Sequence, residues 1–189
     1  MIILGNSGFV SPSFSLRNRL RRGLWNVIDV LFFRYSPRPF HKWRAFVLRC
    51  FGAKLGCSVH IYPGVRIWAP WELEVGDYVG IADGAIVYNI AKVKLANHCV
   101  VSQGAHLCTG SHDIDSRNFQ LIALPISIMD YVWVCAGAFV GPGVTIAAGS
   151  VIAAHAVVVK SVSASWKVWA GNPAVLKGNR SDVIKESSE

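Results

Sequence analysis

Six histidines and five cysteines are the residues of this 189-residue chain best suited to acid–base, nucleophilic or metal chemistry. The cysteines, Cys50, Cys57, Cys99, Cys108 and Cys135, are odd in number and no two are spaced C-x-x-C. They read as small buried thiols of a reducing compartment rather than as a disulfide frame or a zinc site. Among the histidines, His60 and His106 fall at the sixth place of a recurring six-residue unit, His98 and His155 at the fourth, and His41 in a basic segment. His112 is different. It stands out of phase in Gly110-Ser-His-Asp-Ile-Asp115, where an imidazole, with an unperturbed pKa of about 6.5, could take a proton from a weakly acidic hydroxyl at neutral pH. Asp113 or Asp115 could orient that ring, although each also fits the role of a loop-capping side chain.

The element that must position His112 is set by the six-residue period. From Val134 the chain runs Val134-Cys-Ala-Gly-Ala138-Phe, Val140-Gly-Pro-Gly-Val144-Thr, Ile146-Ala-Ala-Gly-Ser150-Val, Ile152-Ala-Ala-His-Ala156-Val. The same frame recurs upstream at Leu55, Ile61, Val75, Ile81, Leu95 and Val101, with two-residue slips at Leu73/Val75 and Val93/Leu95. A helix cannot use this period, because residues six apart point about 240° away from one another. The Asn-Gly pair that favours hairpin turns is absent, and ordinary parallel strands would need helical crossovers, which the sequence does not supply. The period suits a triangular, mainly β solenoid over 54–165, in which each unit makes a short strand and a corner and the aliphatic residues stack inside. Residues 111–124 leave the phase and read as a projecting loop, where function tends to sit.

The hydrophobic fraction of 52% excludes a disordered chain, and the length fits one domain. The net charge of +8 is local: residues 1–50 hold nine Lys/Arg and the single acid Asp29, whereas 51–189 hold ten of each sign. That distribution gives no support to a nucleic-acid partner. Residues 1–53 read as a basic amphipathic helical segment. Leu16, Leu20, Leu24, Val27 or Ile28 and Leu31 fall at helical spacing, Pro37 and Pro39 interrupt, and Phe40, Trp43, Val47 and Cys50 resume. Its expected role is to cap the open end of the solenoid, with the apolar stripe packed and the arginines solvated. Contact with an anionic membrane through residues 1–50 is the other role open to it. No run is long enough to span a bilayer and no signal peptide is evident, so the expected location is cytoplasmic, at most peripheral to the inner face of the membrane.

Several motifs carry a family resemblance: Phe14-Ser-Leu-Arg-Asn-Arg-Leu20, Ser36-Pro-Arg-Pro39, Val59-His-Ile-Tyr-Pro63, Ile67-Trp-Ala-Pro-Trp71, Leu107-Cys-Thr-Gly-Ser-His-Asp113, Val140-Gly-Pro-Gly-Val-Thr-Ile146 and Ala170-Gly-Asn-Pro-Ala174. The chain resembles the hexapeptide-repeat acyltransferases, specifically the colanic acid biosynthesis acetyltransferase branch. It is more distantly similar to galactoside, maltose and xenobiotic acetyltransferases. The resemblance implies a left-handed parallel β-helix with an N-terminal helical cap and a C-terminal closing tail over 166–189. It also implies a homotrimer with sites between neighbouring solenoids, acetyl-CoA as co-substrate, no metal, and a sugar or lipid-linked saccharide as acceptor. His112 corresponds to the family's general base. Asn89 and Trp133 match acceptor positions, with Asp113 beside them, and Trp133 also fits an interface or core role. Trp68 and Trp71 fit corner packing better than a carbohydrate surface. Ala136, Gly137, Ala153, Ala154, Lys160, Asn172 and Pro173 match positions lining the coenzyme groove. Val175 stands where relatives carry a basic residue, which leaves the phosphates to Lys160, Lys167, Lys177 or Arg180. Three other functions are compatible: xenobiotic acetylation, a zinc-dependent hydratase using three histidines across an interface, and an inactive scaffold.

Overall fold

The computed structural model describes residues 2–4 and 14–181, so parts of the 1–53 and 166–189 segments lie outside the described residues. The six-residue units wind into a parallel β-solenoid of about six turns. The first face stacks strands Lys54–Leu55, Leu73–Val75, Val93–Leu95, Ile126–Ile128 and Thr145–Ile146. The second stacks His60–Ile61, Gly80–Ile81, Val100–Val101, Trp133–Val134 and Val151–Ile152, and the hairpin Lys167–Ala170/Val175–Asn179 continues it. The third stacks Arg66–Ile67, Ile86–Tyr88, His106–Cys108, Phe139–Val140 and Val157–Val158.

The leading aliphatic residues of the units form the inner ladders. Ile61, Ile81, Val101, Val134 and Ile152 are in register down the second face, and all are buried. The residues four places later, from Val59 and Val79 to Ala138 and Ala156, are buried too, so each unit contributes one strand residue and one corner residue to the core. The small second residue of a unit also has a physical cause. The third residue of the next coil reaches back over it: Asp77 Oδ1 accepts from the Cys57 amide at 2.7 Å, and Asn97 Oδ1 from the Asp77 amide at 2.8 Å. A Cβ on Gly56 would lie 2.2 Å from the Asp77 carboxylate. Fourth places adopt left-handed backbone at Ser58, Tyr78, His98, Tyr131 and His155. There Tyr78, His98 and Tyr131 stack with ring centroids 5.0 and 4.7 Å apart, close to the ~4.8 Å spacing of parallel strands. His98 is therefore a rung of an aromatic ladder along one edge.

The cysteines only partly follow the expectation of buried thiols. Cys99 and Cys135 are buried, with Cys99 pushed up to about 11 by burial, but Cys50 and Cys57 are exposed.

The N-terminal segment is helical over α1 (Leu16–Ile28), which Ser15 caps through its hydroxyl and which continues as a π-helical turn over Asp29–Phe33, and over α2 (His41–Cys50). Its orientation reverses the expectation. The face of α1 that meets the solenoid carries Trp25, buried, with its indole N–H donating to the Ile67 carbonyl at 2.7 Å. Arg21 and Arg22 lie over the rings of Trp71 and Trp68 at 4.1 and 3.8 Å. The leucine stripe faces outward. Guanidinium-on-indole contacts supply an inward face that a purely apolar reading assigns to leucines. Arg44 of α2 is fully buried and donates to the carbonyls of Ile61, Pro37 and Arg38, which ties the inter-helix turn to the first coil. The first residues also depart from the helical reading: Ile2–Leu4 form a strand.

Candidate active site

Residues 111–124 form a β-hairpin rather than an irregular loop. Gly110–His112 pairs antiparallel with Leu121–Ala123, and Ile2–Leu4 adds a third strand on the far side. Thr109, buried at its root, donates its hydroxyl to the Tyr88 carbonyl and accepts from the Ala91 amide. The hairpin rests on a small cluster of Ile90, Ala91 and Ala123, with Phe14, Trp68, Tyr88 and Leu121 around it. Trp68 is thereby enclosed by Arg22, Phe14 and Tyr88, the packing role favoured from sequence.

His112 is exposed on the first strand of this hairpin. Its Nδ1 lies 2.7 Å from the Phe119 carbonyl, and its ring stacks on Phe119 with centroids 4.7 Å apart and planes within 8°. A carbonyl only accepts, so the neutral ring carries its proton on Nδ1 and keeps the lone pair on Nε2. The orienting partner is thus Phe119, which spacing along the chain did not single out. Antiparallel pairing across the hairpin brings it seven residues back to His112. Asp113 instead accepts from the Asp115 amide at 3.2 Å, as a loop-capping side chain does.

The other positions separate into groups. Asn89 is fully buried, donating to the Ala69 carbonyl at 2.6 Å and accepting from the Ala69 amide at 3.0 Å. Each of its polar atoms keeps one further hydrogen-bonding site, a second N–H on Nδ2 and a second lone pair on Oδ1. Trp133 stands half-exposed on the second face, its indole N–H donating to Ser102 Oγ at 2.9 Å. A groove of about 340 Å³ lined by Val100, Ser102 and Gln103 runs beside it. Ala136, Gly137, Ala153, Ala154 and the cis Asn172–Pro173 turn align along the edge between the second and third faces. Coil-to-coil bonds from the His155 amide to the Ala136 carbonyl and from the Val157 amide to the Gly171 carbonyl link them. Lys160 is exposed past the far side of the third face, near where the His112 hairpin also departs. Of the other basic candidates, Lys167 donates to Asn179, and Arg180 donates to the carbonyls of Tyr131 and Gly149, whereas Lys177 is exposed.

Gly137 has a local explanation. At φ +66° it lies beneath the His155 ring, and a Cβ there would come 2.4 Å from ring atoms Nδ1 and Cε1. Gly137→Ala is expected to lower stability by about 1–3 kcal/mol. Combining it with His155→Ala should recover part of that loss, leaving the share due to the backbone angle, as read in a double-mutant cycle of urea unfolding.

Cys108 is not set up as a nucleophile. Its thiol donates to the Gly110 carbonyl, and burial pushes its pKa up. His106 stays on the third face, edge-on to Phe139 at 5.3 Å, with burial pushing its pKa down. Among the described residues no group of three His, Cys, Asp or Glu is placed to hold a metal ion.

A prism of hexapeptide coils interrupted by one histidine-bearing hairpin defines the class, and comparison with known proteins places the chain within it. No family model matches. A protein of Escherichia coli strain K12 named as a colanic acid biosynthesis acetyltransferase, WcaF, is 43% identical over 171 residues, covering 90% of this chain and 93% of its own. Among solved structures, a galactoside acetyltransferase in complex with coenzyme A superposes with a TM-score of 0.82 at 20% identity, over 92% of this chain and 88% of that one. A hexapeptide-repeat acetyltransferase of Vibrio cholerae complexed with acetyl-CoA gives 0.81 at 23% identity, over 90% and 93%. The chain belongs to the hexapeptide-repeat acetyltransferases, in the colanic acid biosynthesis acetyltransferase branch.

Proposed function

We propose that this protein transfers the acetyl group of acetyl-CoA to a saccharide hydroxyl during assembly of an extracellular polysaccharide, with His112 as general base. The observation that carries the proposal is the 2.7 Å approach of His112 Nδ1 to the Phe119 carbonyl, which in the neutral ring sets the proton on Nδ1 and leaves Nε2 as the base. In the step proposed, Nε2 takes the acceptor hydroxyl proton as that oxygen attacks the thioester carbonyl. The tetrahedral intermediate then collapses, the C–S bond breaks, and the imidazolium returns the proton to the departing thiolate, so no acyl-enzyme forms. The name and identity of the Escherichia coli relative support a polysaccharide acceptor, and the coenzyme-bound neighbours support the donor.

The edge bearing Ala136, Gly137, Ala153, Ala154 and Asn172–Pro173 is proposed to line the pantetheine, with Lys160 or Lys177 at the phosphates. Trp133 offers an aromatic ring to the acceptor sugar. Asn89 and Asp113 support the acceptor pocket through the backbone they hold. Within one copy, the coenzyme edge and the His112 hairpin lie on opposite sides of the third face. Two copies packed edge to edge would unite them, which supports a homotrimer with sites between protomers. The half-buried outward row of Ile86, His106, Phe139 and Val157 on that face suits such a contact. Because acetyl-CoA is the donor, the reaction is placed in the cytoplasm.

The test is acceptor-dependent release of free thiol from acetyl-CoA across a panel of sugars, nucleotide sugars, lipid-linked saccharides and xenobiotics. Release with a saccharide is the expected result. Folded protein that releases no thiol with any acceptor would overturn the proposal, and release with a xenobiotic alone would redirect it.

A further inference from the structure

The outward stripe of α1 is the feature that the acetyl-transfer reading leaves unused. Leu16, Leu20, Leu24 and Val27 fall on one side of the helix, opposite the side that carries Trp25 and Arg22, and Leu31 in the π-helical turn that follows is exposed as well. Leu16 and Leu20 are each 67% exposed. The patch does not end with α1. The Trp43 indole donates to the Phe32 carbonyl at 2.8 Å and packs beside Phe46, and both rings are exposed on α2.

Charge identifies what such a surface meets. Arg17 and Arg19 are exposed on the two flanks of the leucine stripe, and Lys42 is exposed beside Trp43. The acid of this segment, Asp29, is buried and paired with Arg34. An apolar face rimmed by cations and by aromatic rings, with no exposed carboxylate from residue 14 to 50, complements the acyl boundary and phosphates of an anionic bilayer. The same face on a second copy offers these cations no exposed carboxylate. Among the described residues no helix is long and apolar enough to cross a membrane, so α1 would lie in the plane of the interface.

We infer that α1 and the exposed edge of α2 dock the protein onto anionic lipid, Leu16, Leu20, Leu24, Val27 and Leu31 entering the acyl boundary and Arg17, Arg19 and Lys42 meeting lipid phosphates. This goes beyond the proposed reaction and does not depend on it. Docking would bring the enzyme to the surface where a lipid-linked saccharide resides and leave the opposite side of α1 clasping the solenoid.

The experiment is flotation of the full-length protein with vesicles of phosphatidylcholine alone or mixed with phosphatidylglycerol. Binding to the mixed vesicles, weak binding to the neutral ones and loss on raising the salt are expected. Leu20→Glu with Leu24→Glu should lower partitioning by about tenfold or more. Because both side chains are exposed, the variant should unfold at the wild-type temperature. Arg17→Gln with Arg19→Gln gives a second variant, which should lose the preference for anionic vesicles. Equal binding to both vesicle types, no binding to either, or unchanged binding by the leucine variant overturns the inference. So does a drop in oligomer mass of the leucine variant by light scattering, which would make the stripe a contact between copies. None of these readouts requires acetyl transfer, so the docking inference and the proposed reaction fail separately.

Discussion

Replacing His112 by alanine should lower kcat/KM for acceptor acetylation by about 10²–10⁴-fold, the usual contribution of a positioned general base. The loss should fall mainly on kcat, because the ring makes its largest contribution as the hydroxyl proton moves. Binding of acetyl-CoA should change little, since the proposed base acts on the acceptor hydroxyl rather than on the coenzyme. Stability should also be nearly unchanged, because His112 is exposed and its imidazole is held by Phe119 of the same surface hairpin. Turnover within about twofold of wild type would rule out His112 as the base. Phe119→Ala is a sharper probe. It keeps the carbonyl that holds Nδ1 but removes the ring stacked at 4.7 Å, so the base would persist with a less fixed orientation. A smaller fall in kcat than in His112→Ala is expected, with KM for acetyl-CoA unchanged.

The second large effect is on the fold. Trp25→Ala should destabilise the protein by about 3–5 kcal/mol, the range for removing a buried aromatic residue. Trp25 is 1% exposed, packs against Phe33 and Phe51 at 5.9 and 5.2 Å, and holds the first coil through Ile67. Trp25→Phe should retain much of the packing and lose about 1 kcal/mol for the missing indole donor. Urea unfolding followed by fluorescence and circular dichroism reads both. A Trp25→Ala variant as stable as wild type would show that α1 is not fastened by this residue. Because Arg22 of the same helix lies on Trp68 beside the hairpin root, the alanine variant should also lose acetyl transfer before global unfolding, at intermediate urea.

Most of the solenoid was legible because its period is enforced at every coil. A leading aliphatic residue out of phase would leave the prism, and Ile61, Ile81 and Val101 show the register that results. The hairpin was legible only as an interruption. Its pairing depends on Leu121 meeting His112 across a turn, and on Ile2–Leu4 arriving from the far end of the chain. Likewise Phe119 gained its role from position alone, since a backbone carbonyl leaves no mark on residue type. Asn89 was legible as a polar residue inside the repeat, but its two bonds to the backbone of Ala69, twenty residues earlier, appear only in the fold.

By itself, the sequence determined that the chain is a hexapeptide solenoid, that His112 lies off its period, and that the positive charge is confined to the first fifty residues. Local periodicity and composition suffice for these, because each repeats or concentrates along the chain. Only the tertiary structure decided which nitrogen of His112 is free and which side of α1 faces the solenoid. Both are set by groups distant in sequence or carried on the backbone: a carbonyl across a hairpin, and two tryptophans whose rings lie under arginines of the helix. The amphipathic helix was readable in the leucine spacing. That its leucines point away from the protein was not.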